Sequence, residues 1–148
     1  MKLPPNIEFP SDVEFLGDLP LLCYRPRGAL DEAAVNRVIK VLEELELALN
    51  QPFDRFTDTL EAAPVDLNFQ HIIHVSLHRR LSYAGRPPVK SAVLATHATA
   101  IHYGRLHAIL TQGSPIKVRI FQERKEAAKW LKVPVERLTA KASREGSS

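Results

Sequence analysis

The sequence predicts an α/β fold: a mostly parallel sheet of about five strands carrying four helices. Three observations predict it. Val89–Ala95 and Ile116–Phe121 are short, nearly continuous apolar runs, the pattern of strands covered on both faces. About twenty residues separate them, enough for a helix and two loops, which is the crossover that parallel strands need. Residues 31–50 place Val35, Val38, Ile39, Leu42, Leu45 and Leu49 on one stripe at the helical period.

The elements follow in chain order. Met1–Pro10 reads as a loose arm, because Pro4, Pro5 and Pro10 cannot donate to a ladder. Val13–Leu16 and Leu21–Arg25 read as a strand pair turning at Gly17-Asp18. The first helix spans Asp31–Asn50, with Asp31 able to cap its start and Pro52 ending it. Phe53–Asp58 is the third strand. A second helix runs from about Asn68 to Tyr83, with Phe69, Ile73, Leu77 and Leu81 as its expected inner face and His71, His74 and His78 opposite. Gly85-Arg86-Pro87-Pro88 breaks the chain before the unit from Val89 to Phe121, whose crossover should be right-handed. Glu123–Lys132 closes the order as a fourth helix docking Ala127, Ala128 and Leu131, with Trp130 alongside. The expected organisation is an arm at 1–12, one domain at 13–133 and a polar tail at 134–148, frayed from Lys141 onward.

Composition narrows the function classes. The 148 residues are 45% apolar, which suits one core. A formal charge of +3, from 20 basic and 17 acidic residues in mixed order, does not make the basic patch that nucleic acid requires. The single cysteine, Cys23, permits no internal disulfide framework, and with no signal-like start this fits a cytoplasmic protein. No apolar run approaches the roughly 20 residues of a membrane span.

Three stretches, FDRFTD at Phe53–Asp58, RRLSYAGRPPVKSAVLAT at Arg79–Thr96 and IKVRIFQERKEAAKWL at Ile116–Leu131, together with the element order, resemble the STAS superfamily of sulfate-transporter and anti-sigma-factor-antagonist domains. Within it they look like the SpoIIAA-like branch of small bacterial proteins, over roughly Val13–Val133. The resemblance implies a cytosolic interaction or regulatory module. In anti-sigma-factor antagonists of this superfamily a Ser or Thr in an Asp-Ser-Ser/Thr-Gly motif is phosphorylated. Here the matching segment, Thr57-Asp58-Thr59-Leu60, keeps Asp58-Thr59 and lacks the second hydroxyl residue and the glycine. Asp58 and Thr59 are therefore candidates for a phospho-switch or ligand loop, beside the plainer role of hydrogen bonding their own turn.

His97 joins them as a candidate, because it follows a buried strand at its carboxyl end, where open α/β sheets place ligands. In the helix between the two apolar runs, Ile101, Gly104, Ala108 and Ile109 form a stripe suited to the sheet. Tyr103, Leu106 and Leu110 lie on another side and are the candidate partner interface, a homodimer included. His71, His74 and His78 share a helix face without the spacing of a metal motif, so no metal is expected. Cys23 reads as a small buried apolar residue. Arg79, Arg80 and Arg86 form a basic neighbourhood open to two readings, contact with an anionic lipid or phosphate, or an ordinary solvated helix end whose dipole cations complement. No cofactor motif or catalytic constellation is present. The expectation is a non-enzymatic module that binds a protein partner. Its alternative is a carrier or sensor of a small amphipathic or anionic ligand held near the carboxyl ends of the strands.

Overall fold

Strand order in the main sheet follows the chain without reversal, and that decides where the helices go. The computed structural model describes residues 6–139. Strand β1 (Val13–Leu16) pairs antiparallel with β2 (Leu21–Tyr24), Leu16 facing Leu21 across the Gly17–Pro20 turn. Beyond β2, strands β4 (Asp54–Asp58), β6 (Val89–Leu94) and β7 (Ile116–Phe121) add one after another, all parallel. The order is β1-β2-β4-β6-β7. Right-handed crossovers that always step the same way leave their helices on one face of the sheet. Helices α1 (Glu32–Ala48), α2 (Phe69–Ser82) and α3 (Ala98–Leu110) share that face. Helix α4 (Arg124–Leu131) follows β7 and covers the other.

The sequence also makes a second, two-stranded sheet that its pattern did not announce: β3 (Leu30–Asp31) with β5 (Val65–Asp66), parallel. Two-residue strands carry too little alternation to read. The first two principal helices begin at capping side chains. Asp31 Oδ1 accepts from the Ala34 amide at 2.9 Å, and Asn68 Oδ1 from the His71 amide at 3.0 Å.

The face under α4 is a buried apolar core. Leu21, Cys23, Phe56, Ala92 and Leu94 meet Ala127, Ala128 and Leu131 there, with Phe121 and Trp130 at 5.6 Å closing the side. A short 3₁₀ turn, Val135–Leu138, drops Leu138 into the same core at 0% exposure, and the Leu138 carbonyl accepts from Arg25 Nε at 3.2 Å. The packed chain thus continues through part of the segment expected as polar tail, because one leucine among polar neighbours is enough to anchor a turn. The frayed end expected from Lys141 onward lies outside the described residues. So do the first five residues of the expected arm, which from Asn6 onward lays Ile7 and Phe9 half-buried against α1's cluster.

One expected face is corrected. Phe69, Leu77 and Leu81 of α2 point to solvent, Leu81 at 77% exposure, and the buried positions are Ile72, Ser76 and Arg79. The inner face thus runs through Ile72, Ser76 and Arg79, where an ion pair with Glu46 compensates the buried arginine.

Candidate functional site

Register across the sheet puts one row of side chains beneath the three helices. Leu22 pairs with Arg55 and Arg55 with Ser91; Tyr24 pairs with Thr57 and Thr57 with Val93. Paired residues in adjacent strands point the same way, so these six line one face. Small and polar residues at its centre leave space that the helices do not fill. Val35, Val38, Ile39 and Leu42 of α1, Ile72, Val75 and Arg79 of α2, and Ala100, Tyr103, Gly104 and His107 of α3 roof a cavity of about 180 Å³. An engineered apolar cavity of about 150 Å³ is large enough to bind benzene. Gly104 lets α3 come close to the sheet, because a Cβ there would stand 2.8 Å from Ile120 Cδ1.

Charge is buried in this wall. Arg55, Arg79 and Glu46 have side chains only 5%, 4% and 6% exposed. Arg79 clasps Glu46 with both terminal nitrogens, Nη1 to Oε1 at 3.0 Å, and Arg55 Nη2 donates to the same carboxylate. Arg55 also lies over the Phe53 ring at 4.6 Å and the Tyr83 ring at 5.2 Å. Burial pulls the Arg55 pKa down, while Glu46 opposes the shift. Two buried donors of cavity-lining residues, Arg55 Nε and Tyr24 Oη, have no hydrogen-bond partner among the described residues. Burial raises the Tyr24 hydroxyl to about 12, so it keeps its proton at neutral pH. His107 Nδ1 sits 2.7 Å from Ser76 Oγ, and burial, with Arg79 adding to it, lowers this imidazole to about 4.

The residues expected at the strand ends are placed separately from that cavity, Thr59 excepted. Asp58, at the end of β4, accepts from the Leu60 amide at 3.0 Å and from Arg124 Nη2 at 2.7 Å. Thr59 is 5% exposed, and both its hydroxyl, at 2.8 Å, and its amide donate to the Leu94 carbonyl. A hydroxyl so enclosed and engaged in a backbone bond is tying β4 to β6. His97 caps α3, its Nδ1 accepting from the Thr99 amide at 3.1 Å, with the ring exposed. Asp58 instead faces a polar cleft of about 250 Å³ with Arg25, Arg27 and Arg124.

Of the expected interface, Tyr103 lines the internal cavity, and Leu106 and Leu110 are half-buried. The exposed apolar residue of α3 is Ile109, which the stripe pattern had assigned to the sheet. On α2, His71 Nε2 bonds Asn36 at 2.9 Å and His78 Nε2 bonds Glu43 at 3.1 Å, so both reach to α1. Among the described residues no group of three His, Cys, Asp or Glu could hold a metal ion, and no helix is long and apolar enough to cross a membrane. The basic neighbourhood splits up: Arg79 turns inward, Arg80 donates to the Leu110 and Gln112 carbonyls, and Arg86 donates to that of Glu46. Cys23 is fully buried, as expected.

Sequence reasoning missed Arg55, Glu46 and His107. A charged residue inside the third strand was the available signal, since a central strand tolerates arginine only when it is paired. Glu46 and Arg79 sit on different helices, and nothing in the linear pattern joins them.

No family model matches the chain, and no curated protein matches it. Among solved structures, an uncharacterized protein of the DUF3478 family from Shewanella loihica PV-4, with a SpoIIAA-like fold, superposes with a TM-score of 0.50. The two are 14% identical, and the match covers 80% of this chain and 89% of the other. The chain therefore has the SpoIIAA-like fold that its strand and helix order resembled.

Proposed function

We propose that this protein is a non-enzymatic binding module that holds a small amphipathic molecule between its three-helix layer and the sheet. One observation carries the reading: an apolar cavity of about 180 Å³ has buried polar groups in its wall. A few polar groups set in an apolar concavity are the ordinary make-up of a small-molecule site. The fold supplies no ligand by analogy, since functions differ among proteins of one fold. Native mass spectrometry of the protein isolated from its own cells tests the reading. Retained small-molecule mass is expected, and Val38→Phe, which fills the cavity from α1, should abolish it. Retention undiminished in that variant would put the ligand elsewhere and overturn the assignment.

A regulatory module that binds a protein partner is the second reading, and the exposed row Phe69, Leu77 and Leu81 on α2 favours it. This row takes the place of Tyr103, Leu106 and Leu110 as the face for a partner or a second copy. Light scattering at micromolar concentration should show a mass that rises with concentration and falls to that of a monomer in Leu81→Glu. A concentration-independent monomer removes the homodimer.

A further inference from the structure

We propose that the cavity selects a ligand with a carboxylate head and an uncharged apolar body about the size of one substituted aromatic ring, Arg55 being the residue that recognises the head. The inference rests on reading the cavity as a ligand site and adds the ligand's charge and class.

Charge is the first argument. Two buried guanidiniums share one buried carboxylate, Glu46. Arg79 has further help at the rim from Glu43, 3.8 Å away, a residue that also serves His78. Glu46 is the acid that Arg55 contacts, so the shortfall falls on Arg55, where burial already disfavours the charge. An anion in the cavity would supply the missing countercharge without leaving water-exposed surface behind.

Hydrogen bonding is the second. Of the buried side-chain groups without partners among the described residues, two belong to residues that line the cavity, Arg55 Nε and Tyr24 Oη, on diagonal neighbours of adjacent strands, since Tyr24 stands opposite Thr57. The guanidinium nitrogen can only donate, and the phenol keeps its proton. A carboxylate is all acceptor, with two oxygens and about four lone-pair sites, and a guanidinium matches it geometrically. An alcohol offers one weaker acceptor, and an ammonium brings a like charge and donors only. What distinguishes Arg55 and Tyr24 is that both residues carrying the unmet groups line one cavity.

Size is the third. At about 180 Å³ the space suits one ring with a small substituent.

Calorimetric titration of the full chain at pH 7 with 4-methylbenzoate, 4-methylbenzyl alcohol and 4-methylbenzylammonium tests this. The acid is expected to bind at least about tenfold tighter than the alcohol, with the ammonium weakest. Arg55→Met should bring acid and alcohol to equal affinity. Tyr24→Phe, a milder change, should narrow the gap by a few-fold and keeps the test open should the arginine variant not fold. Alcohol binding as tight as acid binding overturns the carboxylate inference and leaves the cavity reading standing. Failure of all three probes, with no small-molecule mass retained by the native protein, overturns both.

Discussion

His107 is an imidazole that the folded chain keeps neutral. Desolvation, then the like charge of Arg79, lowers its pKa from 6.5 to about 4. Between those two values the unfolded chain binds a proton that the folded chain refuses. Stability is therefore fully present above about pH 6.5 and falls as pH drops toward 4, by roughly 3 kcal/mol over the window. Denaturant titrations at pH 7 and pH 4.5 should show that loss in the parent chain and a shallower one in His107→Gln. Equal slopes in the two would place the acid sensitivity on other groups. This residue was invisible in the sequence for a physical reason. Spacing picked out His71, His74 and His78, which share a helix face, whereas the functional surroundings of His107 come from Ser76 and Arg79 on another helix. At Asp58-Thr59 the reverse holds in part: the local turn role was legible for Asp58, which accepts from the Leu60 amide, whereas the Thr59 hydroxyl reaches across to the Leu94 carbonyl of the neighbouring strand.

Helices differ in how far their own pattern determined their orientation. In α1 and α4 the apolar stripe is the packed face; α1 adds to its stripe one buried acid, Glu46, whose charge the two arginines answer. Helix α2 packs beside α3, with Ser76 bonded to His107, and carries Arg79 to Glu46 of α1, while Phe69, Leu77 and Leu81 remain outside. Periodicity alone picks the wrong side when a buried ion pair occupies the right one. Two substitutions separate the alternatives. Leu81→Glu should leave the urea midpoint within the equivalent of about 0.5 kcal/mol, as surface changes do. Ile72→Ala should cost about 2–5 kcal/mol, the range for a core residue reduced to alanine. The opposite ranking would restore the expected face.

At the scale of the molecule, the mostly parallel sheet was readable because long crossovers join parallel strands, and β2, β4, β6 and β7 are parallel; which strand lies beside which was not read from the sequence. The extent of the packed chain was less readable, for Leu138 is a lone apolar residue in a polar run, yet fully buried. Leu138→Ala is expected to destabilise the fold by about 2–5 kcal/mol in urea. A chain ending at Val133 should lose at least as much, and no loss in either would return that segment to the tail. The sheet has one face covered by α4 and the 3₁₀ turn over a buried apolar core, and the other left with room under α1, α2 and α3. Folding and selectivity therefore answer to opposite sides of the same strands. Alternate residues along β2, β4 and β6 belong to different trades, and a substitution at Thr57, Ser91 or Val93 can retune what is held while Phe56, Ala92 and Leu94 keep the scaffold constant.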